Sequence, residues 1–250
     1  MGYLNKETFV CIDCETTGLD LENDRIIEIA ICRFTFSEIL ESFESLINPE
    51  IKISQESMQI HNITEEMCEN QPKIEEILPK VFKIAGNCTI MGHGIQFDID
   101  MLTNSAKRFA VKCDLHQNKL IDTLRLARMY GQSPINSLQF LRKHFNVEEE
   151  IAHRAMGDVL VNIEVFKKLT QNFKTTDEIF RELQKPIQLS TMPLGKYKGR
   201  KFSEIPDNHL KWASHQNFDQ DLLFSLRKEL KLRKQGANFL KAANPFSQLD

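Results

Sequence analysis

The chain has 250 residues, of which 41% are hydrophobic and 27% are charged, and its formal net charge at pH 7 is -3. This length can bury a sizeable core in one or two domains. No apolar run approaches the roughly 18 residues that a membrane span needs, and the first residues lack the basic and then apolar pattern of an export signal. We therefore expect a cytoplasmic protein that makes no membrane contact.

Apolar runs separated by turn residues predict five strands, the first beginning at Phe9 and the others at 25–34, 40–47, 88–91 and 120–121. Helical spacing covers 54–84 in two or three short pieces interrupted at Pro72, and then 97–109, 123–130, 137–145 and 154–173. An opening meander followed by alternating strands and helices is typical of an α/β fold. We predict a mixed five-stranded sheet flanked by helices.

The charge of the chain is distributed unevenly. Residues 1–184 contain 20 Lys and Arg against 29 Asp and Glu, whereas residues 185–250 contain 12 against 6. The change falls near Lys185 and Pro186, so we predict two domains, 1–184 and a small basic module at 185–250. In the second domain, we predict a basic hairpin at 192–202 and helices at 208–215 and 219–234. A carboxylate-rich body that concentrates cations could use this basic module to bind a polyanion.

Asp13 and Glu15 are the most informative residues of the first strand. Strand side chains alternate between faces, so these two carboxylates project to one side while Val10, Ile12 and Cys14 project to the other. Close carboxylates repel each other, and a hard divalent cation such as Mg²⁺ or Mn²⁺ would relieve the repulsion. The alternative is a solvated strand end that leads into a turn, so other carboxylates must converge on the same place.

The six cysteines lie among apolar neighbours, which favours reduced core thiols over disulfides. Cys11 and Cys14 have a Cys-x-x-Cys spacing. No second Cys or His pair completes a zinc site, however, and on a strand these two side chains point to opposite faces. The sequence therefore gives little support to a zinc site.

Further acidic residues follow later elements. Asp98 starts the helix after the fourth strand, where it can reach the end of the first strand if the two strands are neighbours. Asp100 lies about 200° further round that helix, so only one of the two can face the site. His153 and Asp158 converge only if His153 precedes the next helix and Asp158 lies within it. A capping role for Asp98 and a locally satisfied His153 are the alternatives.

Taken in order, Asp13-x-Glu15, Phe97-Asp98 and His153-x4-Asp158 resemble the three exonuclease motifs of the DEDDh branch of the DnaQ-like 3'-to-5' exonucleases. This resemblance implies an RNase H-like fold and removal of 5'-mononucleotides from DNA 3' ends with two Mg²⁺ or Mn²⁺ ions. Gly94 departs from the family, because many relatives have Asn there, and an amide that could orient the substrate or brace the loop is missing.

The resemblance also implies a role for each reactive residue. Asp13 would bridge two cations about 3.5 to 4 Å apart, Glu15 and Asp158 would hold the one that activates water, and Asp98 would support the other. His153 would take the proton from that water, which suits an imidazole with an ordinary pKa near about 6.5.

The same resemblance places the terminal nucleotide of the substrate near the turn after the first strand. Thr16 and Gly18 would offer backbone donors, and Leu19 would act as an apolar wedge, although ordinary turn packing is an alternative for Leu19. His61 lies in segment 59–64, which is similar to a family segment near the end of the substrate.

The basic stretch 192–202 and the residues up to Trp212 look like the small C-terminal module of exonuclease X-type proteins. Tyr197 would stack on a base. The alternative is a solvated hairpin packed on Trp212. The side chains expected to contact phosphates are Lys196, Lys198, Arg200 and Lys201.

Together these features favour a free-standing DNA repair or degradation exonuclease. We expect it to act on the 3' ends of single-stranded DNA, with RNA as a second option. A polymerase III epsilon-like proofreading subunit and an RNA-trimming exonuclease are alternatives on the same fold. A catalytically silent nucleic-acid-binding protein is disfavoured, because it would have no need for clustered, mutually repelling acids. Residues 245–250 suggest a sliding-clamp-binding peptide, so a polymerase or a clamp is a further candidate partner.

Overall fold

A computed structural model describes residues 3–133, 135–148 and 154–242, with side chains up to residue 235. The chain divides into two compact units, Met1–Leu183 and Gln184–Asp250. Across the described ranges, no helix is both long enough and apolar enough to cross a bilayer.

The first unit is built on a five-stranded mixed sheet, as predicted. Its strand order is β3-β2-β1-β4-β5. The pairs β1–β2 and β2–β3 are antiparallel, whereas β1–β4 and β4–β5 are parallel. The strands are β1 (Phe9–Thr16), β2 (Ile26–Phe34), β3 (Ile39–Leu46), β4 (Thr89–Gly92) and β5 (Leu120–Asp122).

Helices cover both faces of this sheet. They are α1 (Gln55–His61), α2 (Glu65–Cys68), α3 (Ile74–Ala85), α4 (Gln96–Arg108), α5 (Thr123–Tyr130), α6 (Leu138–His144), α7 (Ala155–Leu169) and α8 (Thr176–Leu183). The single helix predicted over 154–173 is wrong at its end, because α7 stops at Leu169 and α8 follows. Thr170 Oγ1 donates to the Phe166 carbonyl at the end of α7, and Thr175 Oγ1 accepts from the Glu178 N–H to start the next helix.

The side chains of β1 alternate between two cores, one on each face of the sheet. Phe9 and Cys11 pack on the face covered by α7, where the Phe9 and Phe166 ring centroids lie 5.4 Å apart. Val10 and Ile12 pack on the opposite face with α3 and α4. The alternation predicted for this strand is thereby confirmed, and it directs Asp13 and Glu15 toward α7. All six cysteines are free thiols.

The second unit has its own small core beneath helices α9 (Asp207–Ala213) and α10 (Gln220–Ala242). The core side chains are Met192, Phe202, Ile205, Leu210, Ala213, Leu222 and Leu226. The stretch predicted as a hairpin is instead a loop closed by one antiparallel bridge between Thr191 and Lys201. Two glycines with positive φ, Gly195 at 72° and Gly199 at 81°, turn the backbone too sharply for paired strands.

Candidate metal and nuclease site

Three carboxylates converge where β1 ends. Asp13 and Glu15 lie opposite Ala30 and Glu28 of β2, and a register shift follows between Glu15 and Thr16. Asp158, in the first turn of α7, approaches the same face. One ligand oxygen from each of Asp13, Glu15 and Asp158 lies within 4.8 Å of the other two. The side chains thus form a cluster rather than a solvated strand end.

Asp98 brings a fourth carboxylate to this place from the other side of the sheet edge. Its side chain is buried in the first turn of α4, and Oδ1 accepts a 2.9 Å hydrogen bond from the backbone N–H of Cys14. The β1–β4 pairing ends at Cys11 and Met91, so β4 does not occupy the backbone edge at Cys14. Asp100 instead accepts from the Gln96 side chain, so only one of the two faces the site, as predicted.

Burial and mutual repulsion make these carboxyl groups hard to ionise. Burial raises the pKa of Glu15 to about 7, with Asp158, Glu28 and Asp98 adding to the rise. Burial also raises the pKa of Asp98 to about 7, although the Cys14 N–H opposes the rise. The pKa of Asp13 is raised well above its ordinary value by burial and by its acidic neighbours. A cluster of hard oxygen ligands that resists ionisation without a counter-charge fits a divalent cation.

The four carboxylates line a cleft of about 310 Å³, to which other elements contribute residues that the sequence analysis missed. Gln139 of α6 donates from Nε2 to Asp158 Oδ1 at 3.0 Å and so orients that carboxylate. His93 lines the same cleft, and its ring nitrogens lie 3.2 Å from Thr123 Oγ1 and 2.8 Å from the Asn136 carbonyl. Nothing local in the sequence marks Gln139, because only the tertiary fold brings α6 to α7.

The loop after β4 is held despite the glycine at position 94. Gly94 has a φ of 81°, a conformation that favours glycine, and its N–H donates to Asp122 Oδ1 at 2.9 Å. The same Asp122 oxygen accepts from Leu124 N–H and caps α5. The loop therefore lacks the side-chain amide found in many relatives, but the hydrogen bond from Gly94 to Asp122 holds it in place.

A buried ion pair fixes the start of α7. Glu28 is 1% exposed, and its Oε1 accepts from Arg154 Nε at 2.8 Å and from Arg154 Nη2 at 2.5 Å. Its Oε2 accepts from the backbone N–H of Ala155, the first residue of α7, at 3.0 Å. A signal for this pair was present in the sequence, since Glu28 stands alone in a run of isoleucines and alanine where a charge must have a partner.

His153 lies outside the residues that the structure describes, so its role as a base stays a prediction. The described chain resumes at Arg154, which is the N-cap of α7. Asp158 lies within this helix, four residues after its N-cap.

The turn after β1 contains three of the residues predicted to hold substrate. Thr16 Oγ1 donates to the Gly18 carbonyl at 2.6 Å. A Cβ on Gly18 would lie 2.4 Å from Asp24 Oδ2, so no side chain fits there. Leu19 is 84% exposed, which argues against the alternative of turn packing and leaves it available to a ligand.

His61, which the resemblance places near the terminal nucleotide, has a side chain that the fold buries. It is buried at the end of α1, and its Nδ1 accepts from the Ile63 N–H at 3.0 Å. Burial also lowers its pKa. These contacts give His61 a clear part in holding the loop between α1 and α2, and its contact with substrate remains a prediction.

The predicted phosphate-binding side chains belong to the second unit and are all exposed. They are Lys196, Lys198, Arg200 and Lys201. Trp212 is 55% exposed and the Tyr197 ring contacts His209. Phosphate binding by the four cations stays a prediction, beside the alternative of a solvated stretch packed on Trp212. The clamp-like segment 245–250 lies outside the described residues.

Comparison with known proteins agrees with this arrangement. The family model RNase_T, described as exonuclease, matches residues 10–166. A second model, QSregVF_b, whose description refers to a quorum-sensing-regulated virulence factor, matches residues 181–239. The chain is 34% identical over 167 residues to DNA polymerase III PolC-type of Caldanaerobacter subterraneus subsp. tengcongensis, and 30% identical over 176 residues to that of Clostridium perfringens. The alignments take in 66% and 68% of this chain but only 12% of each polymerase.

Solved structures show the same fold. Exonuclease X in complex with 5' overhanging duplex DNA superimposes with a TM-score of 0.57 and 25% identity, over 70% of this chain and 98% of that one. An E. coli ExoI–ssDNA complex gives a TM-score of 0.61 and 20% identity, over 70% of this chain and 42% of the other. The mixed sheet is therefore the RNase H-like exonuclease fold.

Proposed function

We propose, from the premise that this chain belongs to the DnaQ-like RNase_T family of exonucleases, that it is a metal-dependent 3'-to-5' exonuclease. It would release 5'-mononucleotides from DNA 3' ends, in DNA repair or degradation. The observation that carries the proposal is the convergence of Asp13, Glu15 and Asp158 within 4.8 Å, with Asp98 lining the same cleft.

The four carboxylates would hold two Mg²⁺ or Mn²⁺ ions, with Asp13 as the shared ligand. Bound cations of this kind compensate negative charge on the attacking and leaving oxygens of a phosphodiester. Gln139 keeps Asp158 oriented, and the Asp98 carboxylate is fixed by the Cys14 N–H. His153, directly before the N-cap of α7, would accept the proton of the attacking water.

The substrate end would lie against the turn after β1. Thr16 and Gly18 define the shape of this turn, and the exposed Leu19 side chain is free to contact the terminal base. An exposed leucine beside a charged cleft suits an apolar contact with a nucleobase better than a contact with phosphate. The neighbours' DNA complexes support DNA as the substrate class.

End-labelled single-stranded DNA, duplex DNA and RNA, each incubated with Mg²⁺ and then with a chelator, test the proposal. We expect stepwise loss of nucleotides from DNA 3' ends with Mg²⁺ and none with chelator. Asp98→Asn should abolish this hydrolysis, whereas Asp100→Asn on the same helix, where Asp100 accepts from the Gln96 side chain, should keep it. Hydrolysis that survives chelation, or an inactive wild-type chain on all three substrates, would reject the proposal.

A proofreading role is a second candidate, and the PolC-type relatives favour it. Since the chain spans about an eighth of those polymerases, their activity and partners are not carried over with the similarity. A proofreading exonuclease should remove a mismatched 3' nucleotide from a primer faster than a matched one and should bind a polymerase. Equal rates on both primers would favour free-standing repair, and faster hydrolysis of RNA would favour RNA trimming.

A further inference from the structure

Three aromatic rings of the second unit contact one another in a row, which we call the aromatic ladder: Tyr197, His209 and Trp212. The Tyr197 and His209 ring centroids are 4.6 Å apart, and those of His209 and Trp212 are 5.2 Å apart. His209 and Trp212 are three residues apart on α9 and therefore share one side of that helix. Tyr197 reaches them from the loop closed by the Thr191–Lys201 bridge.

Tyr197 packs against the edge of the core that holds this unit together, whereas His209 and Trp212 are not among the side chains of that core. Leu210 and Ala213, on the other side of α9, are fully buried in that core, whereas Trp212 is 55% exposed. Tyr197 and His209 are only partly buried. A tryptophan left in water offers a large apolar surface that a ligand can cover.

The loop that carries Tyr197 has charges of one sign, and the acidic Asp207 at the start of α9 is paired with Arg233. Residues 189–203 contain four basic side chains and no acidic one, and all four basic side chains are exposed. Lys196 Nζ lies 5.7 Å from the centre of the Tyr197 ring, so a cation borders the ladder directly. Lys211, next to Trp212 on α9, is also exposed. This surface therefore suits a polyanion that also carries flat apolar groups.

We propose that the aromatic ladder and the basic loop bind single-stranded nucleic acid, with bases stacking on the rings and phosphates contacting the loop cations. The nature of the ligand rests on the proposed function. Unpaired bases expose their faces for stacking, whereas the bases of a duplex are already stacked on one another. An acidic peptide or an anionic membrane would need the cations but not the row of rings.

Trp212 is the only tryptophan of the chain, so its fluorescence reports directly on this surface. The full chain is titrated with oligothymidylate in the presence of chelator, which separates binding from hydrolysis. We expect quenching of Trp212 emission, because a stacked base lies on the indole. Tyr197→Ala should raise Kd about 10-fold, in line with the loss of one stacked base.

Fluorescence anisotropy of a labelled oligonucleotide measures binding without tryptophan emission, so Trp212 itself can be substituted. Trp212→Ala should weaken binding about 10-fold, whereas Trp212→Phe, which keeps a ring, should recover most of it. Combined Lys196→Ala and Lys198→Ala should lower the slope of log Kd against log salt concentration by about 1.4. Lys107→Ala, an exposed lysine of the first unit, is the matched control and should change nothing.

Unchanged Trp212 emission, unchanged Kd in both alanine variants of the ladder, or equal binding of polyglutamate or anionic vesicles would overturn this inference. Hydrolysis of a trinucleotide with Mg²⁺, measured in parallel, tests the carboxylate cleft without a long ligand. Quenching without hydrolysis would refute the proposed function and keep the ladder, whereas hydrolysis without quenching would do the reverse.

Discussion

At the residue scale, the end of β1 places like charges where burial already disfavours ionisation. The pKa values of Glu15 and Asp98 rise to about 7 because each is buried among other carboxylates. Between about pH 4 and pH 7 the folded chain without metal thus holds more protons than the unfolded chain. Its stability should fall as the pH rises through this window and level off once the pH exceeds the raised pKa values of the cleft, as urea unfolding at a series of pH values would measure.

Divalent cation binding should show the opposite dependence, because a cation must displace these protons. We expect Mg²⁺ to bind at least about 30-fold more tightly at about pH 8 than at about pH 5.5. The affinity should reach a plateau above about pH 7. Calorimetric titration of the full chain measures this directly. Asp100→Asn should follow the wild-type curve, and a flat affinity across this range would show that the carboxylates of the cleft do not bind the cation.

His153 permits a second test at this scale. His153→Ala should lower turnover by about 10² to 10⁴, the usual effect of losing a general base, while cation affinity stays near that of the wild type. His116→Ala, a change at an exposed histidine of the same unit, is the control. Turnover that is unchanged in His153→Ala would remove this residue from the mechanism, and loss of cation binding would make it a ligand instead.

At the element scale, α7 is aligned by the buried Glu28 and by Arg154. The pair ties the start of the helix to the central strand β2, four residues before Asp158. Arg154 is partly exposed, with 39% of its side chain accessible, whereas only 2% of the Glu28 side chain is. Removing the arginine would therefore leave a buried carboxylate that still accepts from the Ala155 N–H but has lost its counter-charge.

Arg154→Ala should lower the free energy of unfolding by about 3 kcal/mol, the lower end of the range for breaking a buried pair. It should also reduce hydrolysis, since Asp158 depends on the position of α7. Urea unfolding and a hydrolysis assay measure the two effects. Glu41→Gln removes the exposed 3.7 Å pair with Arg33 and should cost less than about 1 kcal/mol. Equal effects of the two substitutions would contradict an aligning role for Arg154.

At the scale of the whole molecule, the acidic carboxylate unit and the basic unit have separate cores. This separation suggests a division of labour, with hydrolysis in one unit and retention of longer strands in the other. Electrostatic contacts to phosphates are sensitive to salt, whereas the carboxylate cleft needs only the end of a strand.

A chain that ends at Gln184 should hydrolyse trinucleotides at the wild-type rate and bind longer single strands more weakly. Loss of four phosphate contacts would reduce the slope of log Kd against log salt by about 3. A chain that ends at residue 242 keeps the basic loop and should bind as the full chain does. Equal salt dependence of all three chains would show that the second unit makes no contact with phosphates.

The sequence by itself determined the five strands, the bounds of α4, α5 and α6 to within a residue, and the acidic candidates. Period-2 alternation was enough to put Asp13 and Glu15 on one face, because strand geometry depends on local spacing alone. Asp98 and Asp158 were identified as their companions by the resemblance of the ordered motifs to the DEDDh exonucleases.

Only the tertiary structure decided which residues support that cluster. Gln139 reaches Asp158, and Arg154 reaches Glu28, across 19 and 126 positions of the chain, distances over which no local pattern operates. The same holds for the burial of His61 and the exposure of Trp212, because burial is set by what packs against a residue rather than by the residue itself. The residue types of the cleft could therefore be identified from the sequence, whereas the contacts that orient its carboxylates depend on long-range packing.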